Sequence, residues 1–281
     1  MAKEAVGLVV KRESSLAEET ALRIVKFLED KGYDIMVDVT VDSPRLNGYP
    51  RFDVSRWTPE KVIVVGGDGT LLRTFLRLGE RESPIFMAVK AGKRGFLLDV
   101  ERYEVEERLR DFVEGRYKVY TYTRLSVFLN GEKKGCIFND AVVVAKNAKM
   151  ARLQVQINGE IAMNIDGDGV ILATTAGSTA YSLSAGGPII DPRLDVVVVT
   201  PLNPVQLYLR PIVAPSQSRV RVDVSPQSND MILSLDGQVV YEVSPGSSVS
   251  VERCRSPIRI ARFKWWEMYY ERLYTRLITY W

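Results

Sequence analysis

The sequence predicts an α/β domain built on a parallel sheet, followed by a β-rich domain. Three observations carry that reading. Through the first third of the chain, apolar runs alternate with segments of helical spacing. One of those runs, Lys61 to Val65, has four apolar residues in succession without alternation, as strands buried on both faces do. From about Tyr117 the helical spacings give way to short strand-like runs. Strands separated by helices need crossover connections, and crossovers make a parallel sheet.

Val6 to Val10 is the first strand. Ser14 or Ser15 can cap the next helix, with Glu18 or Glu19 completing the first turn; Ala21, Leu22, Val25 and Leu28 form its inner face and Gly32 ends it. Tyr33 to Val39 and Pro84 to Val89 read as further strands. A helix over Tyr103 to Glu114 sets Val105, Leu109, Phe112 and Val113 on one face, with Gly115 behind it. The domain boundary falls after residue 117. Beyond it, Val119 to Leu129, Cys136 to Val144, Leu153 to Ile157, Val170 to Thr174, Val196 to Thr200, Arg219 to Val224, Met231 to Leu235, Val239 to Val243 and Ser248 to Arg253 are strand-like. Asn130-Gly131 and Asn158-Gly159 are hairpin turns. One helix, beginning near Ser178, breaks this region. Near the end, Trp266, Tyr269, Tyr270, Leu273 and Leu277 recur at helical spacing, a stripe expected to pack on the body or on a neighbouring subunit.

Composition narrows the chemistry. In 281 residues there is no histidine, which removes Ser-His-Asp and Cys-His catalysis and histidine-ligated zinc and leaves general-base work to carboxylates. A net charge of +3, without a basic block, suits small anions and argues against nucleic acid. Cys136 and Cys254 form no CxxC; two buried thiols in a reducing compartment are expected, with pairing in space left open. Neither a signal-like apolar region nor a run of transmembrane length occurs, so the expected location is cytoplasmic and off the membrane.

The strand at Lys61 to Val65 runs into Gly66-Gly67-Asp68-Gly69-Thr70. A glycine turn after a buried strand lets a ligand approach the main chain and offers N–H donors to phosphate oxygens, and Thr70-Leu71-Leu72 would open the next helix. Gly66, Gly67, Gly69, Thr70 and Arg73 are therefore candidate phosphate contacts. Asp68 is out of place in a purely anion-binding turn. It fits if it binds Mg²⁺ or takes a proton from a hydroxyl that attacks a phosphoryl group. The plain alternative is a tight turn with Asp68 bonded to its own backbone. Arg73, Lys90, Lys93 and Arg94 are basic residues within reach in sequence, each of which could equally be solvated surface.

A second dense segment, DGDGVILATTAGSTAYSLSAGGPII, spans Asp166 to Ile190. Ser178 or Thr179 could cap its helix, and Gly186-Gly187-Pro188 would end it. Close helix–sheet packing explains some of its small residues; the hydroxyl density around Tyr181 and Ser184 suits a polar ligand such as a nucleotide. With GGDGT (Gly66 to Thr70), GFL (Gly95 to Leu97), the Asn-acid pair Asn139 and Asp140, DGQ (Asp236 to Gln238) and RIARF (Arg259 to Phe263), this segment resembles the NAD kinase family over nearly the whole chain.

The resemblance implies transfer of a phosphoryl group from ATP, or polyphosphate, to the adenosine ribose 2′-hydroxyl of NAD, with Mg²⁺ or another divalent cation. Asp68 would be the catalytic carboxylate. Phe96, Asn139, Asp140, Asp168, Thr179, Ala180, Tyr181, Ser184 and Asp236 would bind NAD. Residues 118–257 would be the NAD-binding domain and 258–281 would pack back on 1–117 through the closing helix. In the family the site lies between domains and neighbouring subunits complete it, so a homodimer or homotetramer is expected. The sequence departs from the family pattern at Asp140, where Glu is common, at Thr175-Ala176 for Pro-Thr, at Lys90 for Asn and at Val205 for His. Two rival readings are a lipid kinase that uses the same glycine turn and a non-catalytic dinucleotide sensor.

Overall fold

The computed structural model describes residues 4–92, 95–263 and 269–279. Two compact units emerge: one takes the chain up to Thr121 and resumes at Ile258, and the other is Tyr122–Pro257.

The first unit alternates strands and helices: β1 (Ala5–Val10), α1 (Ser15–Asp30), β2 (Asp34–Asp38), β3 (Arg51–Phe52), β4 (Lys61–Gly66), α2 (Asp68–Leu78), β5 (Ile85–Lys90), α3 (Val105–Val113) and β6 (Lys118–Tyr122). Ser14 caps α1 by accepting from the Ala17 N–H at 3.3 Å. The inner face of α1 is Ala17, Ala21, Ile24, Val25 and Leu28, with Leu22 at its flank. All four expected core residues of α3 are buried. Val62, Ile63, Val64 and Val65 are fully buried, because the strand has helices or loops on both faces.

The second unit is almost wholly antiparallel: β7 (Leu125–Leu129), β8 (Glu132–Ile137), β9 (Asp140–Ala145), β10 (Ala151–Ile157), β11 (Glu160–Gly167), β12 (Gly169–Thr174), α4 (Tyr181–Ser184), β13 (Val196–Leu202), β14 (Ile212–Pro215), β15 (Val220–Val224), β16 (Met231–Leu235), β17 (Val239–Val243) and β18 (Ser248–Arg253). They form two six-stranded sheets, ordered β11-β10-β15-β18-β7-β8 and β14-β13-β12-β9-β16-β17. Asn130 and Asn158 both have positive φ, as do the glycines after them, which is what their hairpins need.

Two expected strands are each two strands in fact. Val119 to Leu129 breaks at Thr123-Arg124, where the fully buried Arg124 turns inward to donate to the Ser256 carbonyl. The two pieces serve different sheets. Cys136 to Val144 breaks at Phe138-Asn139, for a reason given below. The expectation of free thiols is also overturned: Cys136 and Cys254 form a disulfide, with Cα atoms 6.2 Å apart. β7 pairs with both β8 and β18, and so brings the two cysteines together across 118 residues of sequence.

The chain then returns to the first unit. β19 (Ile258–Arg262) enters its sheet between β5 and β6, giving the order β3-β2-β1-β4-β5-β19-β6. α5 (Tyr269–Thr279) follows, burying Tyr269 and Leu273. Tyr270 was expected on the same face but is exposed; Trp266 and the Leu277 side chain lie outside the described residues.

Candidate functional site

In the α/β unit the site grows from the end of β4. A Cβ on Gly66 would lie 2.5 Å from Thr70 Oγ1, so only glycine lets the turn close on Thr70. Gly67 is the helix N-cap and offers no side chain. α2 begins at Asp68, two residues earlier than the sequence suggested. This answers the puzzle of a carboxylate on an anion-binding turn: in the first turn of a helix, a negative charge is stabilised by the exposed N–H groups and the helix field.

Asp68 is also gripped from a distant loop. Its Oδ2 accepts the Phe96 N–H and its Oδ1 the Leu97 N–H, both at 2.9 Å. Gly95 allows that approach, since a Cβ there would meet Leu98 Cδ1 at 2.9 Å and stand 3.7 Å from Asp68 Oδ1. Each carboxylate oxygen keeps a lone-pair direction for another partner, and the side chain is half-buried rather than sealed. Phe96 was expected at the dinucleotide; its ring is buried against Tyr269, with centroids 6.1 Å apart. A cavity of about 480 Å³ adjoins the turn, lined among others by Lys11, Arg12, Gly67, Gly69, Thr70 and Arg73. Arg77 also lines it, committed to Asp38 at 2.7 Å and Asp53 at 2.8 Å. Lys90 is paired with Glu101 at 2.9 Å. Lys93 and Arg94 lie outside the described residues.

In the β unit the candidate residues gather around the break between β8 and β9. Asp236, with φ of 50°, turns its carboxylate onto three successive amides: Phe138 at 2.9 Å, Asn139 at 2.7 Å and Asp140 at 3.1 Å. Those amides cannot serve a continuous ladder, which is why β8 stops and β9 starts anew. Burial raises the Asp236 carboxyl to about 7, opposed by the N–H groups of Phe138 and Asn139. Asp236 thus staples three main-chain amides, so any contact with NAD would be made beside that role. Asn139 presents a buried Oδ1 that has no hydrogen-bond partner among the described residues.

Asp140 is buried and accepts the Tyr181 N–H; burial raises its carboxyl to about 6 against the pull of that bond. The helix near Ser178 is a 3₁₀ turn, Ala176–Thr179, followed by the short α4. Neither Ser178 nor Thr179 caps it: Ser178 Oγ accepts from the Ile190 N–H, Thr179 Oγ1 donates to the Ala176 carbonyl, and Ala180 stands at the N-cap. Ser182 bonds Thr200 at 2.9 Å. Five of the seven hydroxyl side chains between Asp166 and Ile190, including Thr174 and Thr175, thus make internal hydrogen bonds, while Tyr181 and Ser184 are exposed. Gly177 is forced, because a Cβ would fall 2.0 Å from the Asn139 carbonyl oxygen. Asp168 is exposed and accepts from Asn203 Nδ2 at 2.7 Å. The geometry brings Asn139, Asp140 and Tyr181 together; Leu97 and Arg262, which fall in the GFL and RIARF motifs without an assigned role, and Arg272, which the sequence did not single out, bear on Asp68.

Residues 58–117 match the ATP-NAD kinase N-terminal domain and residues 139–263 the ATP-NAD kinase C-terminal domain. An NAD kinase of Aeropyrum pernix is 66% identical over 277 residues, covering 99% of each chain. The chain belongs to the NAD kinase family. Another NAD kinase, from Thermococcus gammatolerans, is 34% identical over 265 residues, 92% of this chain and 93% of that one. The fold is shared with yeast NADH kinase complexed with NADH, at a TM-score of 0.84 and 24% identity over 99% of this chain and 88% of that one. It is shared too with an NAD kinase from Archaeoglobus fulgidus in complex with ATP, at 0.78 and 23% over 96% and 99%.

Proposed function

We propose that this NAD kinase transfers the γ-phosphoryl group of ATP to the adenosine ribose 2′-hydroxyl of NAD, forming NADP and ADP. The observation that carries the reading is the Asp68 carboxylate, aimed by the Phe96 and Leu97 amides at 2.9 Å and set beside a glycine turn at a helix start. Phosphoryl transfer asks mainly for positioning and charge neutralisation. The 2′-oxygen attacks the γ-phosphorus as the bond to the β–γ bridging oxygen breaks, and Asp68 takes the hydroxyl proton. Gly67, Gly69, Thr70 and Arg73 are the proposed phosphate contacts. In the β unit, Asn139 Oδ1 would accept from an amino or amide group of the dinucleotide, since a buried acceptor left alone costs about 1–3 kcal/mol. Asp140, Thr179, Ala180, Tyr181, Ser184 and Asp168 would line that site.

A divalent cation such as Mg²⁺ fits this donor set. Among the described residues no three carboxylates converge to enclose an ion, and such ions are commonly held by one or two carboxylates plus substrate phosphates. Asp68 would hold it, where it would neutralise charge on the transferring group.

The assembly is proposed to be a homodimer or homotetramer. Val205, Leu207 and Tyr208 form an exposed apolar loop, a kind of patch that marks interfaces; light scattering that gives a monomer would remove this part. No described helix is long and apolar enough to cross a membrane, and a cytoplasmic location belongs to the same reading.

The test compares NADP formation from ATP and from polyphosphate, in the wild type and in Asp68→Asn. The variant is expected to bind NAD normally by calorimetry and to lose roughly two to four decades of turnover, the usual size of a general-base effect. Near-normal turnover would take Asp68 out of the chemistry.

A further inference from the structure

Asp68 is only as well placed as the loop that grips it, and residues 95–98 of that loop have no regular secondary structure. Its amide side faces Asp68 through Phe96 and Leu97. The rest of it is held from the far end of the chain. Arg262, the last residue of β19, is fully buried, and its Nη1 donates to the Leu97 carbonyl at 2.7 Å and to Asp99 Oδ1 at 2.9 Å. Arg272, on α5, donates from Nη2 to the Leu98 carbonyl at 2.8 Å. Tyr269, one turn before it, packs edge-on against the Phe96 ring. Three successive loop residues are thus each fixed by a separate group from β19 or α5. Leu97 is the direct link, with its N–H on the candidate base and its carbonyl on a guanidinium.

Packing alone does not ask for this. A buried guanidinium is costly unless fully paired, and an apolar side chain would fill the same space. Two arginines converging on adjacent carbonyls suit a loop whose position must be fixed to a fraction of an ångström, the tolerance that reacting groups demand. Burial pulls the Arg272 guanidinium down, while the carboxylates of Asp99, Glu101 and Asp68 act the other way. That cation is therefore also within electrostatic reach of Asp68.

We propose that Arg262 and Arg272 are positioning residues for phosphoryl transfer, acting through Leu97 and Leu98 to fix the amide pair that orients the Asp68 carboxylate. This rests on the reading of Asp68 given above.

The test is a double-mutant cycle on the full-length enzyme, assayed well below each variant's melting temperature. Arg272→Leu keeps the apolar stem and removes the bond to Leu98. Arg262→Lys keeps a cation beside Asp99 while losing the guanidinium's shape, and it decides the matter if Arg272→Leu does not fold. Each is made with Asp68 intact and in Asp68→Asn. With Asp68 present, kcat is expected to fall about 10- to 100-fold, with KM for NAD and ATP within about twofold of wild type. In Asp68→Asn neither change should lower the rate further, because the group being aimed is gone. Equal losses in both backgrounds, a change in KM without one in kcat, or full activity would overturn the proposal. Failure of the underlying reading looks different: Asp68→Asn alone would then keep its turnover.

Discussion

Asp68 and Asp236 are held in the same way, and the reading proposed above gives them opposite uses. Each is an aspartate whose oxygens accept main-chain amides from a break in regular structure, two for Asp68 and three for Asp236. Asp68 stays half-buried at a helix start, on a glycine turn whose Gly67 and Gly69 line a cavity. Asp236 is 5% exposed and spends its lone pairs on the backbone. Amide-gripped carboxylates are thus either tools or fasteners, and access decides which. The motif alone does not, since both sit in an Asp-Gly pair.

The widest separation between the two should come from replacing each by Asn. Asp68→Asn is expected to show the turnover loss stated above. Its new NH2 must face one of the two gripping N–H groups, but the half-buried site admits water, so the stability loss should be smaller than that of Asp236→Asn. Asp236→Asn leaves at least one of three amides facing a donor, so denaturant titration should show a loss of about 1–3 kcal/mol, and KM for NAD should rise more than kcat falls. Equal kinetic signatures would erase the distinction.

Cutting the disulfide tests whether the fastened region is also the one that needs fastening. Cys136 lies two residues before Phe138, and the bridge closes a separation of 118 residues. Cys136→Ser is expected to lower stability by up to about 5 kcal/mol on the chain-entropy account. At temperatures where the variant remains folded, KM for NAD should change more than kcat. Gly177→Ala should act on the same region: the new Cβ must displace the Asn139 carbonyl, at a cost of about 1–3 kcal/mol read as a drop in Tm.

The mildest comparison changes only pH. Asp140 and Asp236 are raised from 3.8 to about 6 and about 7. The folded state therefore holds their protons where the unfolded state does not. Their contribution to stability is fully present below the unfolded value and is lost as pH rises through about 6 to 7. Asp53, lowered chiefly by its bonds from Ser55, has the opposite sign but acts only below the ordinary carboxylate value of 3.8, so it leaves the slope between there and neutral pH to Asp140 and Asp236. Denaturation midpoints in wild type and Asp236→Asn should isolate the Asp236 share, and an unchanged profile in the variant would contradict the assignment.

What was legible in the sequence was local. The buried strand before Gly66, the helix capped by Ser14 and the hairpins at Asn130 and Asn158 each depend on residues within a few places of one another. The candidate base was legible for the same reason. Its support was not, because Arg262 and Arg272 reach Leu97 and Leu98 from more than 160 residues away. Equally hidden was the break between β8 and β9, imposed on Phe138 by a carboxylate 98 residues further on. In the Gly177 to Ser184 segment the sequence points to Thr179, Tyr181 and Ser184 as ligand contacts and to Ser178 or Thr179 as a cap, whereas Ser178, Thr179 and Ser182 are bonded to Ile190, Ala176 and Thr200. Sequence spacing cannot separate those fates, since neighbouring residues point into different surroundings. A second arginine at the end of a short strand, as Arg262 is in Ile258–Arg262, was a hint of the long-range lock.

Because β19 occupies an interior place between β5 and β6, the first unit's sheet cannot be completed until nearly all of the chain has been synthesised. A ribosome that has delivered only the leading 121 residues holds a sheet with one edge open and a strand still waiting for its neighbour. The late-arriving tail that fills this gap also carries the arginines, so assembly and competence should arrive together.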